Sequence, residues 1–119
     1  MTRSVLIVDD DPSFYALAGR VLADLGLEVV ATAADAAQAL AVVQDSRPDA
    51  MLVDVGLPDR DGIDLAYELS KLPWGPRVVV TSSDNEAFVA IEAQDGQPRL
   101  PFIAKENLAY ETLRQALTL

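Results

Sequence analysis

Carboxylates, one hydroxyl and one ammonium at separate points of the 119-residue chain are the groups that could do chemistry. Each follows or ends a short apolar run; they are Asp9, Asp10, Asp11, Asp54, Thr81 and Lys105. Two carboxylates ~4 Å apart repel each other by ~1 kcal/mol in water and by ~4 kcal/mol at an effective dielectric of about 20. If these acidic groups meet in the fold, they must therefore bind protons or recruit a cation.

The residue types restrict which cation that could be. The chain contains no Cys and no His, so a metal would have only oxygen ligands, which favours hard ions such as Mg²⁺, Mn²⁺ or Ca²⁺. A site with several carboxylates and room for water is typical of Mg²⁺. Beside Asp54, such an ion would neutralise the oxygens of a phosphate donor while the Asp54 carboxylate attacks phosphorus. Lys105 would supply a positive charge for the transferred group, and Thr81 a hydroxyl donor.

Short apolar runs alternate with longer amphipathic runs along the whole chain. The short runs are rich in β-branched residues and apolar on both faces, which indicates buried strands of a parallel sheet. The predicted strands are Val5–Val8, Leu27–Ala31, Met51–Val53, Arg77–Thr81 and Phe102–Ala104.

The first two predicted helices have clear sequence boundaries. Asp11 is expected to be an N-cap, with Pro12 at the first helical position and Gly26 closing the helix. The second helix spans roughly residues 35–44. Its predicted inner face consists of Ala36, Leu40 and Val43.

Two further helices follow the third strand and end the chain. The third begins after the turn-rich segment 56–62, where Asp59, Asp61 and Asp64 are interpreted as solvated turn and helix-start residues. The last helix is predicted from the apolar residues Ala109, Leu113, Ala116 and Leu117.

A short helix is also predicted between the fourth and fifth strands. Ser83 and Glu86 have the spacing of a capping box, which marks its beginning. Pro98 and Pro101 disfavour helical geometry at the residues before them, so this helix must end near Ala93.

Five strand–helix units predict one α/β domain over residues 1–119, with a doubly wound parallel sheet and helices on both faces. In such folds the reactive site lies beyond the carboxyl ends of the strands, where the winding reverses. The chemically capable residues stand at the ends of the first, third, fourth and fifth strands. We therefore expect them to converge on one edge of the sheet.

The composition argues against several classes of function. The net charge of −10 and the pI near 4.1 would repel nucleic acid and anionic lipid, so direct DNA binding by this segment is not expected. The N-terminus lacks the pattern of a signal peptide, and no apolar run approaches the ~18 residues needed to span a membrane. A cytoplasmic location without membrane contact is therefore predicted.

Four segments resemble the response-regulator receiver domains of two-component signalling, and the resemblance covers essentially the whole chain. They are Val5–Pro12, Asp49–Gly62, Val78–Ser82 and Phe102–Lys105. The segment around Asp54 is the most specific of the four. The resemblance implies a CheY-like, flavodoxin-like fold with the strand order 2-1-3-4-5.

The resemblance also implies a metal site. Asp10 and Asp54 would bind Mg²⁺ directly, with Mn²⁺ able to substitute, and Asp9 would help to hold the ion, partly through water. Gly56 would contribute its backbone carbonyl to the metal.

By the same resemblance, Asp54 would be the phosphoacceptor, Thr81 and Lys105 would contact the phosphoryl group, and rotation of Phe102 would accompany movement of Thr81. The donor would be a phosphohistidine on a sensor histidine kinase or a histidine phosphotransfer protein. Phosphorylation would switch the face formed by the fourth and fifth helices and the fifth strand, which controls an output partner or domain. Such a protein is a signalling phosphoacceptor that assists its own phosphorylation and dephosphorylation, rather than an enzyme.

Three other functions are weighed against this one. The first is a receiver-like module that binds a partner without using phosphate, and it is suggested by segment 95–101, which is unlike the family pattern. Glu106 is another departure from that pattern, because the family usually has proline after the lysine. A phosphatase of the haloacid dehalogenase type would need a second Asp two positions after the nucleophile, where this chain has Gly56. A flavodoxin-like cofactor site would need a phosphate-binding loop after the first strand, where three aspartates would repel a flavin phosphate.

Overall fold

The computed structural model describes residues 4–83 and 100–117. Within them, five parallel strands form one sheet in the order β2-β1-β3-β4-β5. The strands are Ser4–Val8 (β1), Glu28–Ala33 (β2), Ala50–Asp54 (β3), Arg77–Ser82 (β4) and Phe102–Ala104 (β5). This is the doubly wound α/β architecture, and the strand order, that the sequence predicts.

Helices cover both faces of the sheet. The described helices are Pro12–Asp24 (α1), Ala36–Ser46 (α2), Gly62–Ser70 (α3) and Tyr110–Ala116 (the C-terminal helix), and a single 3₁₀ turn spans Lys105–Asn107. One core cluster joins α1 and the C-terminal helix to side chains such as Ile7 and Leu52. The other joins α2 and α3 to side chains such as Leu6 and Val53. Alternate residues of each central strand therefore supply two separate apolar layers.

The start and end of α1 follow the predicted local chemistry. The Asp11 side chain accepts a hydrogen bond from the backbone N–H of Ser13, and Pro12 occupies the first turn. Gly26 adopts a φ of +80°, a conformation that favours glycine. The N–H groups of Gly26 and Leu27 donate to the carbonyls of Ala23 and Leu22, both at 2.9 Å. This paired closure accounts for a displaced boundary: β2 begins at Glu28, not at Leu27, because the Leu27 N–H is already used by the helix end.

The predicted inner face of α2 is wrong at one position. Leu40 is 41% exposed, whereas Ala39 is fully buried together with Ala36 and Val43. The spacings 36-39-43 and 36-40-43 both fit a helical period, so the sequence pattern does not choose between them. In the structure, α2 buries the 36-39-43 face, which carries Ala39, and leaves Leu40 largely exposed.

The helix predicted from Ser83 to near Ala93 lies outside the described residues, apart from Ser83 itself. The same holds for segment 95–101, apart from Leu100 and Pro101. Among the helices in the described part of the chain, none combines the length and apolar character needed to cross a bilayer.

Candidate functional site

The strand register brings the predicted site residues to one edge of the sheet. Val8 of β1 pairs with Val53 of β3, so Asp9 and Asp54 follow at the same level. Asp54 in turn pairs with Thr81 of β4, and Thr81 pairs with Ile103 of β5. Because all the strands are parallel, their carboxyl ends meet at this edge, as predicted.

Three carboxylates form a compact cluster at this edge. One oxygen from each of Asp9, Asp10 and Asp54 lies within 4.8 Å of the others. Asp9 is fully buried, Asp54 is 6% exposed and Asp10 is exposed to solvent. Three carboxylates, one of them open to water, fit a hard divalent cation that keeps part of its hydration shell. The residues could therefore hold Mg²⁺ or Mn²⁺.

Lys105 joins the carboxylate cluster from the 3₁₀ turn that follows β5. Its Nζ lies 2.7 Å from Asp9 Oδ2 and 3.7 Å from Asp54 Oδ2, with the side chain 19% exposed. Among the described residues, this ammonium is the group that pairs with the buried Asp9 Oδ2 and neutralises its charge. Burial disfavours the charge on Lys105, but the hydrogen bond to Asp9 and the charges of Asp54 and Asp9 outweigh it and raise the pKa of the ammonium.

The environment of Asp54 works against its negative charge. Burial raises the pKa of Asp54, and the neighbouring Asp9 carboxylate adds to the effect. Lys105 and the backbone N–H of Gly56 oppose it by stabilising the carboxylate. A cation or a second hydrogen-bond donor at this edge would stabilise the negative charge of Asp54.

Thr81 carries a buried hydroxyl whose hydrogen-bonding capacity is unused. The residue is fully buried, and its Oγ1 has no hydrogen-bond partner within residues 4–83 and 100–117. An unsatisfied buried polar group costs about 1–3 kcal/mol. The register places this residue directly beside Asp54, where a ligand attached to the carboxylate could accept its hydrogen bond.

The structure does not test the roles predicted for Gly56 and Phe102. Gly56 hydrogen-bonds the Asp54 carboxylate through its N–H, and the use of its carbonyl for a metal stays a prediction. Phe102 is partly buried against the core cluster that contains α2 and α3, and its rotation likewise stays a prediction.

Gly62 supports the backbone at Asp54, and the sequence reasoning missed it. A Cβ at residue 62 would lie 1.9 Å from the Asp54 carbonyl oxygen and 2.7 Å from Val55 Cα. The Gly62 N–H also donates to the Val55 carbonyl at 3.0 Å. The first turn of α3 therefore rests on the backbone that carries Asp54, and only glycine leaves room for it. The Asp-Gly pair at a helix start was the available signal.

The aspartates of the β3–α3 loop have more specific roles than predicted. Asp61 accepts a hydrogen bond from the Ile63 N–H at 2.8 Å and caps α3, which confirms its helix-start interpretation. Asp59 is exposed as predicted, but it also accepts the N–H groups of Ala36 and Ala37, each at 2.9 Å. These two bonds lower the pKa of Asp59. The loop that leads away from Asp54 is thus tied to the beginning of α2.

Tyr15 is a second residue that the sequence pattern did not reveal. Its hydroxyl donates to the Asp9 carbonyl and lies 3.3 Å from the Ala33 carbonyl. The side chain therefore connects the end of β1 to the end of β2, directly behind the acidic cluster. Burial raises the pKa of the Tyr15 hydroxyl, with the nearby aspartates adding to the effect.

Comparison with known families gives a match over nearly the whole chain. A family model described as the response regulator receiver domain matches residues 5–117. The match includes every site residue named above and all five strands, apart from Ser4 at the start of β1.

Individual relatives agree with the family match. The DNA-binding response regulator MtrA of Mycolicibacterium smegmatis is 34% identical over 112 residues, covering 92% of this chain but 49% of that protein. The chemotaxis protein CheY of Bacillus subtilis is 30% identical over 93 residues, covering 78% of each chain. Several curated relatives, MtrA among them, are about twice as long as this chain or longer.

Solved structures show the same architecture. A putative response regulator from Chloroflexus aurantiacus is 28% identical, with a TM-score of 0.78 and complete coverage of both chains. The receiver domain of the putative response regulator NarL from Mycobacterium tuberculosis is 28% identical, with a TM-score of 0.79 over 98% of this chain.

Proposed function

Because the chain belongs to the response-regulator receiver domains of two-component signalling, we propose that it accepts a phosphoryl group on Asp54 with the help of Mg²⁺. One observation carries this proposal. The Asp54 carboxylate belongs to an acidic cluster that would bind a cation, and it also lies beside the buried Thr81 hydroxyl, which has no hydrogen-bond acceptor among the described residues. A phosphoryl group on Asp54, together with a metal ion, would satisfy both.

The metal would be held by the carboxylates of Asp9, Asp10 and Asp54, with the Gly56 carbonyl as an additional ligand. Their hard oxygen atoms suit Mg²⁺, and Mn²⁺ can substitute. When bound, the ion neutralises the negative charge that a phosphate donor brings to an already acidic site.

Asp54 acts as the nucleophile in this proposal. A carboxylate oxygen forms a P–O bond while the bond between phosphorus and the nitrogen of the donor phosphohistidine breaks. Asp54 needs no general base, because its carboxylate already carries the attacking electron pair. Lys105 pairs with the oxygens of the transferred group, and Thr81 donates its hydroxyl hydrogen bond to one of them.

The partners follow from the family. Receiver domains interact with histidine kinases and with output domains. We propose that the donor is a sensor histidine kinase or a histidine phosphotransfer protein, and that the whole chain is one receiver unit acting in the cytoplasm. Its acidic surface suits a protein partner better than nucleic acid.

The esterase named among the relatives is not assigned to this chain. Protein-glutamate methylesterase/protein-glutamine glutaminase 3 of Anaeromyxobacter dehalogenans matches this chain over 27% of its own length. We propose that this chain is a signalling phosphoacceptor, which assists its own phosphorylation and dephosphorylation without turning over a separate substrate.

The proposal is tested by incubating the protein with acetyl phosphate and measuring its intact mass. We expect a base-labile phosphate that forms with Mg²⁺, fails to form with excess chelator, and is absent from Asp54→Asn. Asp64→Asn is the matched control, because Asp64 is an exposed aspartate outside the site. Equal labelling of parent and Asp54→Asn would refute the assignment. Absence of labelling, together with Mg²⁺-independent partner binding, would favour a phosphorylation-independent interaction module.

A further inference from the structure

The Lys105 ammonium has a third neighbour besides the two carboxylates. Its Nζ lies 4.8 Å from the centre of the Phe14 ring. An ammonium within about 6 Å of an aromatic ring centre is attracted to the negative face of the ring. The ammonium is thus held by Asp9 at 2.7 Å, by Asp54 at 3.7 Å and by a neutral aromatic ring.

Phe14 is a fixed platform for this contact. The residue is 4% exposed and packs in the core cluster that contains Ile7, Leu52 and Ile103. Its N–H donates to the Asp11 carbonyl at 3.1 Å, which places it in the first turn of α1. Phe14 lies three positions after Asp11 in sequence, so the capped start of α1 connects the ring to the acidic residues.

We propose that Phe14 is a positioning residue, whose ring holds the Lys105 ammonium beside Asp54 in readiness for the phosphoryl group. The inference rests on the proposed function of Asp54 and deepens it. Phe14 does not contact the reacting atoms; it acts only through Lys105.

The Phe14 ring carries no net charge, so a metal ion does not compete with Lys105 for it as it would for the carboxylates. Asp9 and Asp54 attract Lys105 only to the extent that their negative charge is not shared with another cation. Any cation bound by these carboxylates weakens their attraction for the ammonium. The attraction between ring and ammonium does not depend on that charge, so Phe14 keeps Lys105 in place when the ion pairs are weakened.

A purely structural role for Phe14 must be separated from this one. A buried phenylalanine in a core cluster stabilises the fold whatever lies above it. The chain offers an internal reference, since Lys105 and Lys71 are its only lysines. Lys71 stands at the end of α3 and is exposed. Lysine-selective isotope labelling therefore gives two sets of NMR signals, one from the site and one from a solvated control.

The experiment measures the side-chain protons of both lysines in the parent protein and in Phe14→Leu. In the parent, the ring current should displace the Lys105 signals to lower frequency than those of Lys71, and Phe14→Leu should abolish the difference. The rate of phosphorylation by acetyl phosphate should fall by about two- to thirtyfold in Phe14→Leu, the range expected for loss of a ring–cation attraction. A trifluorinated phenylalanine at position 14 keeps the ring but weakens its negative face, so its rate should fall between the two.

Leu22→Ala controls for lost stability, because Leu22 is fully buried in the same core cluster and on the same helix. It should leave the Lys105 signals displaced and the rate within about twofold of the parent under conditions where both are folded.

The outcomes distinguish this inference from the proposed function. Identical signals for Lys105 and Lys71 in the parent would overturn the role of Phe14 and leave phosphorylation of Asp54 intact. A displaced Lys105 signal with equal rates for parent and Phe14→Leu would also overturn the positioning role. If no phosphate is found on any variant, the proposed function fails, and the positioning role fails with it even if the Lys105 signals show the contact with the ring.

Discussion

At the amino ends of the strands, Ser4 and Asp49 hydrogen-bond each other, whereas at the carboxyl ends the Thr81 hydroxyl has no partner among the described residues and Asp54 lies beside a carboxylate that repels it. Asp49 Oδ2 accepts hydrogen bonds from the Ser4 N–H and the Ser4 hydroxyl, each at 3.1 Å. The Asp49 N–H in turn donates to the Ser4 carbonyl at 3.0 Å. At the opposite end, the fully buried Thr81 hydroxyl has no partner among the described residues.

The amino end continues in the same manner around Trp74. The Trp74 indole N–H donates to the Pro48 carbonyl at 2.9 Å, and the Arg47 guanidinium lies 5.0 Å from the ring centre. Arg77 donates through Nε to the Ala116 carbonyl at 2.9 Å, which joins β4 to the C-terminal helix. Polar groups at this end therefore contribute to the stability of the fold.

The two ends differ in whether their polar groups find partners within the described part of the fold. Both ends belong to the same strands and share the same core, so burial alone does not explain why their polar groups differ in this way. The carboxyl end keeps repelling carboxylates and an unused hydroxyl, which lower stability and which the proposed metal ion and phosphoryl group would satisfy. The following substitutions test that contrast.

The largest effect is expected from Gly62→Ala. The added Cβ would meet the Asp54 carbonyl oxygen at 1.9 Å, so α3 or the Asp54 backbone must move. We expect a loss of about 3 kcal/mol in the free energy of unfolding, the upper range for overpacking. Urea unfolding measures it. Gly19→Ala is the control, because its Cβ would meet nothing within 4 Å in the interior of α1 and should be neutral or stabilising. Equal effects of the two substitutions would contradict the close packing at Gly62.

The next largest effect distinguishes the two ends directly. Asp49→Ala removes the acceptor of two hydrogen bonds from Ser4 and should lower the free energy of unfolding by about 1–3 kcal/mol. Thr81→Val has nearly the same shape and removes a hydroxyl without a described partner, so it should leave the free energy unchanged or raise it by about 1 kcal/mol. Parallel urea titrations compare them. A loss of stability in Thr81→Val as large as that in Asp49→Ala would remove the contrast between the ends.

The smallest effect concerns Asp59, whose pKa is lowered by hydrogen bonds from the Ala36 and Ala37 N–H groups. Because the folded pKa lies below the ordinary value of 3.8, the charge stabilises the fold above that pH and the contribution is lost on further acidification. Asp59→Asn keeps an acceptor but removes the charge. We expect a small loss of stability at neutral pH that disappears as the pH falls below 3.8. A difference that is independent of pH would show that the charge has no role.

The sequence was most informative where chemistry and position along a strand coincide. Asp9, Asp54, Thr81 and Lys105 could be assigned to one edge because parallel strands place their carboxyl ends together. The helix start at Asp11 and Pro12 was predictable because capping depends on neighbours in sequence.

Contacts between distant segments were not predictable. Asp59 binds the start of α2 more than twenty residues earlier in the chain, and no local pattern marks that pairing. The clash that forbids a side chain at Gly62 depends on how closely α3 approaches β3. The exposure of Leu40 depends on a small rotation of α2, which the helical period leaves undetermined.

The most direct test measures Mg²⁺ binding to the parent and to Asp54→Asn by calorimetry. The thermal unfolding of both proteins is measured without and with millimolar Mg²⁺. Without Mg²⁺, Asp54→Asn should be more stable than the parent by about 1 kcal/mol, because burial and repulsion by Asp9 disfavour the Asp54 charge more than Lys105 and the Gly56 N–H stabilise it. With millimolar Mg²⁺, the parent should bind the ion and gain stability, whereas Asp54→Asn should bind it more weakly and gain less. A parent that binds no Mg²⁺, or a variant that binds it equally well, would contradict the claim that these carboxylates form a cation site.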